Sequence, residues 1–335
     1  MKQERWARFI VLILAVSAGI AALAYRFWGN PGIIEVRAAM PENGGWLTPN
    51  LNGQVAEPLN LRLISNDVVH SFALGQSDFE PVGVLPGKPV DITLTFDKPG
   101  TYTFYCTRWC GADHWRMRGT ITITGDDPVV VNPVDPPLYL KLGIDLDVPR
   151  EHQDSMFDRS PSANLGADLG LTLPSKFVAQ DYYRSHNPNQ VWEELNANDF
   201  TADLSDSQIW GLVAWIYLKN TDPSQLVEGE ALYQRDCAAC HGVEGNGNGI
   251  FGARENIESS NSHEVSPEGH SLEAPTNFQD QNHMLSASPA LLQGKIIRGG
   301  MGTGMPSWGL IYTEEQTWAL VDYLWTFIFN YSREE

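Results

Sequence analysis

The sequence predicts a multidomain chain: an N-terminal transmembrane helix, an all-β sandwich, then an all-α C-terminal domain. Three observations carry this reading. An uncharged apolar run spans residues 9–25. Between 33 and 125, apolar residues alternate with polar ones. Beyond 187 the apolar spacing becomes helical, and a cysteine–histidine motif follows one of the helices. A chain of 335 residues is long enough for two domains and a small third.

The apolar run is seventeen residues long, at the short end for a spanning helix. Trp6 and Trp28 bracket it, about 33 Å apart at helical rise, as interfacial aromatics would. Lys2, Arg5 and Arg8 precede it, which keeps the N-terminus inside and puts everything after Arg26 outside. Ala22-Leu23-Ala24 also resembles a signal-peptide cleavage site. The run length and flanking aromatics favour a retained anchor over residues 1–30.

Leu59, Leu61 and Leu63 alternate with polar neighbours, as do Val90, Ile92, Leu94 and Phe96, then Tyr102 and Phe104, then Ile121 and Ile123. Turns fall at Pro86-Gly87 and Pro99-Gly100. Short strands with regular turns predict an antiparallel sandwich over 33–126. Its last inter-strand loop holds Cys106, Cys110, His114 and Met117, spaced C-x3-C-x3-H-x2-M, and His70 lies upstream. Thiolate, imidazole and thioether form a soft donor set that suits copper. One cysteine with His and Met describes a mononuclear site; two cysteines four apart can instead bridge two copper ions. The bridged pair, with every position filled by protein, serves electron transfer and leaves no open position for a substrate.

A Pro- and Asp-rich stretch, 126–137, reads as a linker. Residues 187–195 and 205–219 read as helices. Trp210-Gly-Leu-Val-Ala-Trp215 echoes Trp318-Ala-Leu-Val-Asp-Tyr323, and each follows an acidic helix start. Two explanations stand side by side for 127–221. One is a degenerate all-α domain that has lost its metal motif. The other is that amphipathic helices packing on a neighbour share one apolar period.

Cys237-Ala-Ala-Cys240-His241 is C-x-x-C-H, the c-type haem attachment pattern. The cysteines form thioethers to the haem edge, and His241 ligates iron. Helices over 229–237 and 314–329 bound this domain, 227–331, and Gly229 permits close approach of an aromatic from the last helix. The polar stretch 252–272 reads as a surface loop. The four cysteines are then two for copper and two for haem. Disulfides are the rival account, but they leave the adjacent His and Met residues without a role. Zinc fits poorly, since a second C-x-x-C is missing.

The net charge of −19 argues against a nucleic-acid partner. From 228 to the end, 15 Asp/Glu stand against 5 Lys/Arg. This acidic surface either steers a basic redox donor or is simply solvated. Covalent haem places the domains outside the cytoplasm.

Residues 59–125 resemble the CuA cupredoxin domain of cytochrome c oxidase subunit II. The resemblance rests on Ser65-Asn66-Asp67-Val68-Val69-His70-Ser71-Phe72, Pro86-Gly87, Pro99-Gly100-Thr101-Tyr102, and Cys106 through Met117. It implies dinuclear copper bridged by Cys106 and Cys110, with His70 and His114 on one ion each. Met117 and the backbone carbonyl of Arg108 complete the set. The family usually has an acidic residue where Arg108 stands. Nitrous oxide reductase shares the ligand spacing, but this chain has no room for its catalytic domain.

Residues 227–331 resemble a class I cytochrome c, through Gly229-Glu-Ala-Leu-Tyr233, Cys237 to Gly242, and Gly302-Thr-Gly-Met305-Pro306-Ser-Trp308. This implies haem c with Met305 as the sixth iron ligand, which raises the haem potential. Met301 is the close alternative. Met284 fits packing, and His263, His270 and His283 fit the surface.

The fusion resembles subunit II of caa3-type oxidases, although those usually carry two spanning helices and this chain shows one. The resemblance implies a respiratory electron-entry subunit on the bacterial cytoplasmic membrane, its soluble domains on the periplasmic side. Its partners would be a polytopic haem–copper catalytic subunit and cytochrome c or another small redox donor. No residue here needs to act as acid, base or nucleophile, and the oxygen-reducing site lies on another chain. A CuA-type nitric oxide reductase subunit and a free-standing anchored carrier are the alternatives.

Overall fold

The computed structural model describes residues 6, 17, 32–77, 79–108, 110–111, 114–125, 136–148, 157, 159–250, 275–300 and 305–331. Most of the expected membrane anchor, most of the 126–137 linker and the 252–272 loop lie outside these residues. Among the described residues, no helix is long and apolar enough to cross a membrane. The chain divides into two compact units: 1–72, 82–102 and 110–130, and 73–81, 103–109 and 131–335.

Eight strands form two sheets: β1 (Ile33–Ala38), β2 (Asn50–Gln54), β3 (Leu59–Ser65), β4 (His70–Leu74), β5 (Val82–Val84), β6 (Val90–Leu94), β7 (Gly100–Tyr105) and β8 (Arg118–Thr124). One sheet is ordered β1-β3-β6, the other β2-β8-β7-β4-β5. The expected alternation holds in β3, where Leu59, Leu61 and Leu63 are buried between half-buried polar neighbours. The expectation of purely antiparallel pairing does not hold. β1 runs parallel to β3 and β2 parallel to β8. Period-two alternation decides which face is buried but not which neighbour pairs. Here β1 and β2 join different sheets and take partners from later in the chain.

The helices are α1 (Leu138–Lys141), α2 (Ala163–Asp168), α3 (Gln180–Ser185), α4 (Pro188–Asn196), α5 (Asp206–Lys219), α6 (Pro223–Asp236), α7 (Ala238–His241), α8 (Gln281–Met284), α9 (Pro289–Arg298) and α10 (Glu314–Leu324). Their starts follow local capping chemistry. Asn187 and Gln190 exchange bonds at α4, each 2.9 Å. Thr313 and Gln316 do so at α10, at 3.1 and 3.2 Å. The last helix ends at Leu324 and tightens into a 3₁₀ turn, Trp325–Phe327, short of the expected residue 329.

Glycine sets the helix crossings. A Cβ on Gly229 would lie 2.1 Å from the Ala319 carbonyl oxygen and 2.8 Å from Tyr323 Cβ. The expected close approach at Gly229 is therefore chiefly to helix backbone, with the tyrosine beside it. A Cβ on Gly166 would lie 2.2 Å from the Gly211 carbonyl oxygen, so α2 and α5 cross with backbones in contact. The buried core joining these helices includes Trp210, Tyr217, Tyr233, Trp318, Trp325 and Phe329. Tyr217 meets Trp325 and Phe329 edge-on, with centroids 4.9 and 5.4 Å away.

Candidate metal centres

The β7 strand delivers Cys106 at its end, and Met117 stands immediately before β8. Between them a 3₁₀ turn, His114–Arg116, folds the loop back, with the Met117 N–H donating to the His114 carbonyl (3.0 Å). His70 follows β3 and opens β4. The donor atoms of His70, Cys106 and Cys110 all lie within 4.8 Å of one another, and all three residues are buried. Around Cys110 Sγ stand His114 Nδ1 at 3.3 Å and Met117 Sδ at 3.2 Å. The Cys106 thiol points to the Arg108 carbonyl at 3.2 Å, while the Arg108 residue itself is exposed. Two thiols, two imidazoles, a thioether and a carbonyl thus converge, a donor set that fits copper. None of the four cysteines forms a disulfide.

Sequence reasoning missed the residues that hold these side chains. Asp67 Oδ1 lies 2.8 Å from His70 Nε2, so a metal at this histidine would be held through Nδ1. Burial raises the Asp67 carboxyl, but bonds from the Met40 N–H (2.7 Å), His70 and the Val68 N–H (2.7 Å) prevail and hold it below the usual range. It therefore stays a carboxylate. Trp46 Nε1 donates to the Met117 carbonyl (3.1 Å), and its ring meets Phe72 edge-on at 5.9 Å. Asp67 had a signal, its i−3 position to His70; Trp46, 71 residues from Met117, had none.

At the second centre, α6 ends at Asp236 and delivers Cys237; Cys240 and His241 lie on α7. The Tyr233 hydroxyl donates to the Gly242 carbonyl (2.7 Å) and pins the motif to α6. His241 Nδ1 lies 3.0 Å from the Thr276 carbonyl, so Nδ1 carries the proton and Nε2 presents its lone pair. Burial lowers the His241 pKa despite that bond, so the ring is neutral, as an iron ligand must be. It stacks on Phe278 at 4.6 Å. Burial pushes the Cys237 thiol up, with Asp236 adding to the shift, and pushes Cys240 up to about 11. Fixed tautomer, neutral ring and paired thiols fit covalent haem.

Met305 is half-buried against the helical core, and its carbonyl accepts the Gly300 N–H (3.1 Å). Met301, His263 and His270 lie outside the described residues. Met284 is buried in the helical core. His283 is exposed beside Asp280 at 3.5 Å.

The cytochrome c family model matches residues 226–327. Cytochrome c oxidase subunit 2 of Thermus thermophilus is 37% identical over 62 residues, 18% of this chain and 45% of that protein. The Synechocystis protein of the same name is 27% identical over 96 residues, 27% of this chain and 28% of that one. The chain thus spans less than half the length of the curated relatives it matches. Among solved structures, a chain of a haem–copper terminal oxidase dimer is 22% identical, with 36% of this chain and 99% of that chain covered and a TM-score of 0.24. The periplasmic domain of cytochrome oxidase subunit II from Bradyrhizobium japonicum is 21% identical, covering 28% and 84%, with a TM-score of 0.23. The chain is therefore similar to cytochrome c oxidase subunit 2 over part of its length and carries a cytochrome c region at its C-terminal end.

Proposed function

We propose that this chain is the electron-entry subunit of a membrane haem–copper oxygen reductase. The observation that carries the reading is the buried convergence of His70, Cys106 and Cys110, with His114 and Met117 on Cys110. When bound, haem c and a dinuclear CuA centre each supply a one-electron site. Cys106, Cys110, His70 and His114 would hold the copper. Met117 and the Arg108 carbonyl complete the shell. Asp67 orients His70, and Trp46 fixes the backbone at Met117. Cys237 and Cys240 would carry the porphyrin, and His241, through Nε2, and Met305 would hold the iron. No side chain here moves a proton or attacks a substrate.

The domains follow the same reading. Residues 1–30 anchor the chain in the bacterial cytoplasmic membrane, and 33–126 form a CuA cupredoxin domain on the periplasmic side. Residues 127–221 link it to the cytochrome c domain, 227–331, through a haem-less cytochrome c-like fold. That last assignment is supported by the second glycine crossing, Gly166 on Gly211. The electron acceptor is a polytopic haem-bearing subunit, and the donor is cytochrome c or a similar small redox protein.

The test is purification from membranes in mild detergent, with paramagnetic resonance of the copper. The reading expects a mixed-valence copper signal and a co-purifying polytopic haem subunit active with oxygen. Activity with nitric oxide alone would redirect the chain to a nitric oxide reductase, and isolation without any partner would leave it a free-standing carrier. Met117→Leu is expected to shift the copper potential while both thiolate bridges persist. An unchanged potential and spectrum would remove Met117 from the ligand set.

A further inference from the structure

Two segments of the β-region lie in the same compact unit as the haem motif: 73–81, which begins with the end of β4, and 103–109, which contains Cys106. The second is tied to the end of α6, the first to residues 309–311. Arg235 Nη2 donates to the hydroxyl of Tyr105 at 3.4 Å, and Tyr105 is the residue before Cys106. Arg235 Nε bonds Asp236 Oδ2 at 2.8 Å, and Asp236 is the residue before Cys237. The Tyr312 hydroxyl donates to the same carboxylate oxygen. The Asp236 side chain is 4% exposed. A buried carboxylate needs such partners, and the pair plus the hydroxyl supply them.

The second tie meets the same segment, 309–312. The Gln76 N–H donates to the Ile311 carbonyl (2.6 Å), and Gln76 Nε2 to the Gly309 carbonyl (2.9 Å). Gln76 sits at φ +55°, a left-handed conformation rare for its type. A Cβ on the adjacent Gly75 would lie 2.8 Å from the Leu310 carbonyl oxygen. Backbone is pressed against backbone here, and strain at Gln76 is held by two hydrogen bonds.

We propose that Arg235, with Asp236, Tyr105 and Tyr312, and Gln76, with Gly309 and Ile311, are positioning residues for electron transfer from the haem to Cys106. This rests on the functional reading above and adds to it the residues that set the distance. Electron transfer falls steeply with separation, so a fixed separation between Cys237 and Cys106 sets the rate. Both motifs lie on one chain, so the transfer is unimolecular, and the ties narrow the range of separations over which it occurs. One electron leaves ferrous haem and enters the oxidised copper pair; no bond forms or breaks and no proton moves. Arg235 is suited to the task because its planar fork reaches a carboxylate and a phenol at once.

The experiment uses the full chain in detergent with both groups bound. Pulsed paramagnetic resonance measures the distribution of haem-to-copper distances, and flash photoreduction of the haem measures the rate at which copper is reduced. A narrow distribution and a first-order rate independent of protein concentration are expected for the unaltered chain. Arg235→Ala should broaden the distribution and slow the transfer by up to about 10²-fold, the scale of an ångström-sized misplacement. Arg235→Lys, which keeps the charge but not the fork, should recover part of both. Should Arg235→Ala fail to load its groups, Gln76→Gly keeps the backbone conformation and removes the bond to Gly309; it should broaden the distribution too. A concentration-dependent rate, or distributions and rates unmoved by either variant, would overturn the proposal and leave the functional reading intact. Absence of mixed-valence copper in the unaltered chain would instead sink the functional reading, and the proposal with it.

Discussion

Two stretches of the helical region use one packing device, and only one of them has a haem motif. In 162–219, α2 crosses α5 where Gly166 meets Gly211; in 223–324, α6 crosses α10 where Gly229 meets Ala319. Each has an intervening helix with proline in its first turn, α4 after Asn187 and α9 after Ser288. The difference lies between the crossing helices. The haem-bearing stretch places C-x-x-C-H there. The other places Phe177, Tyr182, Tyr183 and His186, with Phe177 buried and Tyr182 stacked on His186 at 4.0 Å. Its Arg184 guanidinium lies over the Trp318 ring at 4.0 Å, and the Tyr183 hydroxyl donates to Asp322 at 2.5 Å. The same kind of crossing forms in the stretch with C-x-x-C-H and in the stretch without it. Backbone contact at glycine and aromatic burial are common to both, and the haem motif is an addition to that frame.

The largest effect is expected at the crossings. Gly229→Val and Gly166→Val each force a side chain into a carbonyl oxygen, at a cost on the order of 3–5 kcal/mol. Thermal unfolding followed by circular dichroism would measure it. If Gly166→Val unfolds 162–219 yet leaves haem attachment normal, the two crossings are separate devices; joint loss would make them one cooperative core.

His241→Ala comes next. It should abolish iron ligation while α6 and α10 remain crossed, since their contact runs through Gly229. Haem absorbance and helical circular dichroism, read on one sample, give the answer. Loss of helicity, or of the copper signal, in step with the haem would contradict the independence argued above.

Asp322 joins the two stretches and yields a pH signature. Burial raises its pKa to about 7, against the Tyr183 bond and the Arg184 charge, which lower it. The folded state therefore holds this proton more tightly than the unfolded state does. The stability it contributes is present in acid and is lost as pH rises from about 4 to about 7, with no further loss above that. The upper bound is on the order of 4 kcal/mol. Asp322→Asn still accepts from Tyr183 and should flatten that dependence in a melting series across pH. An unchanged slope would exclude Asp322 as its source.

The smallest effect separates the caps. Thr313→Ala and Asn187→Ala each remove one side-chain cap and should cost about 1 kcal/mol in denaturant unfolding. Equal losses would mean the haem adds nothing to helix-start stability, whereas a larger loss at Asn187 would show that the haem-free stretch leans more on local capping.

The expected element ranges came close where the determinants are local. The expected starts at 187 and 314 fall within a residue of the observed α4 and α10, because the caps that set them, 187/190 and 313/316, involve only neighbours in sequence. The end of α10 was misjudged because its apolar period continues unbroken into a 3₁₀ turn. Strand direction was misjudged because alternation carries no information about partners.

By itself the sequence determined which side chains stand ready at each centre. The copper-type donors lie within twelve residues of one loop plus His70, and the haem donors within five, so covalent spacing alone brings most of them together. Only the tertiary structure decided what holds them: Asp67 bridging Met40 to His70, Trp46 on Met117, Thr276 on His241, and Arg235 between Tyr105 and Asp236. Most of these partners are tens of residues away along the chain. A hydrogen bond between groups so far apart is encoded by the whole packing of strands and helices, and no local pattern announces it.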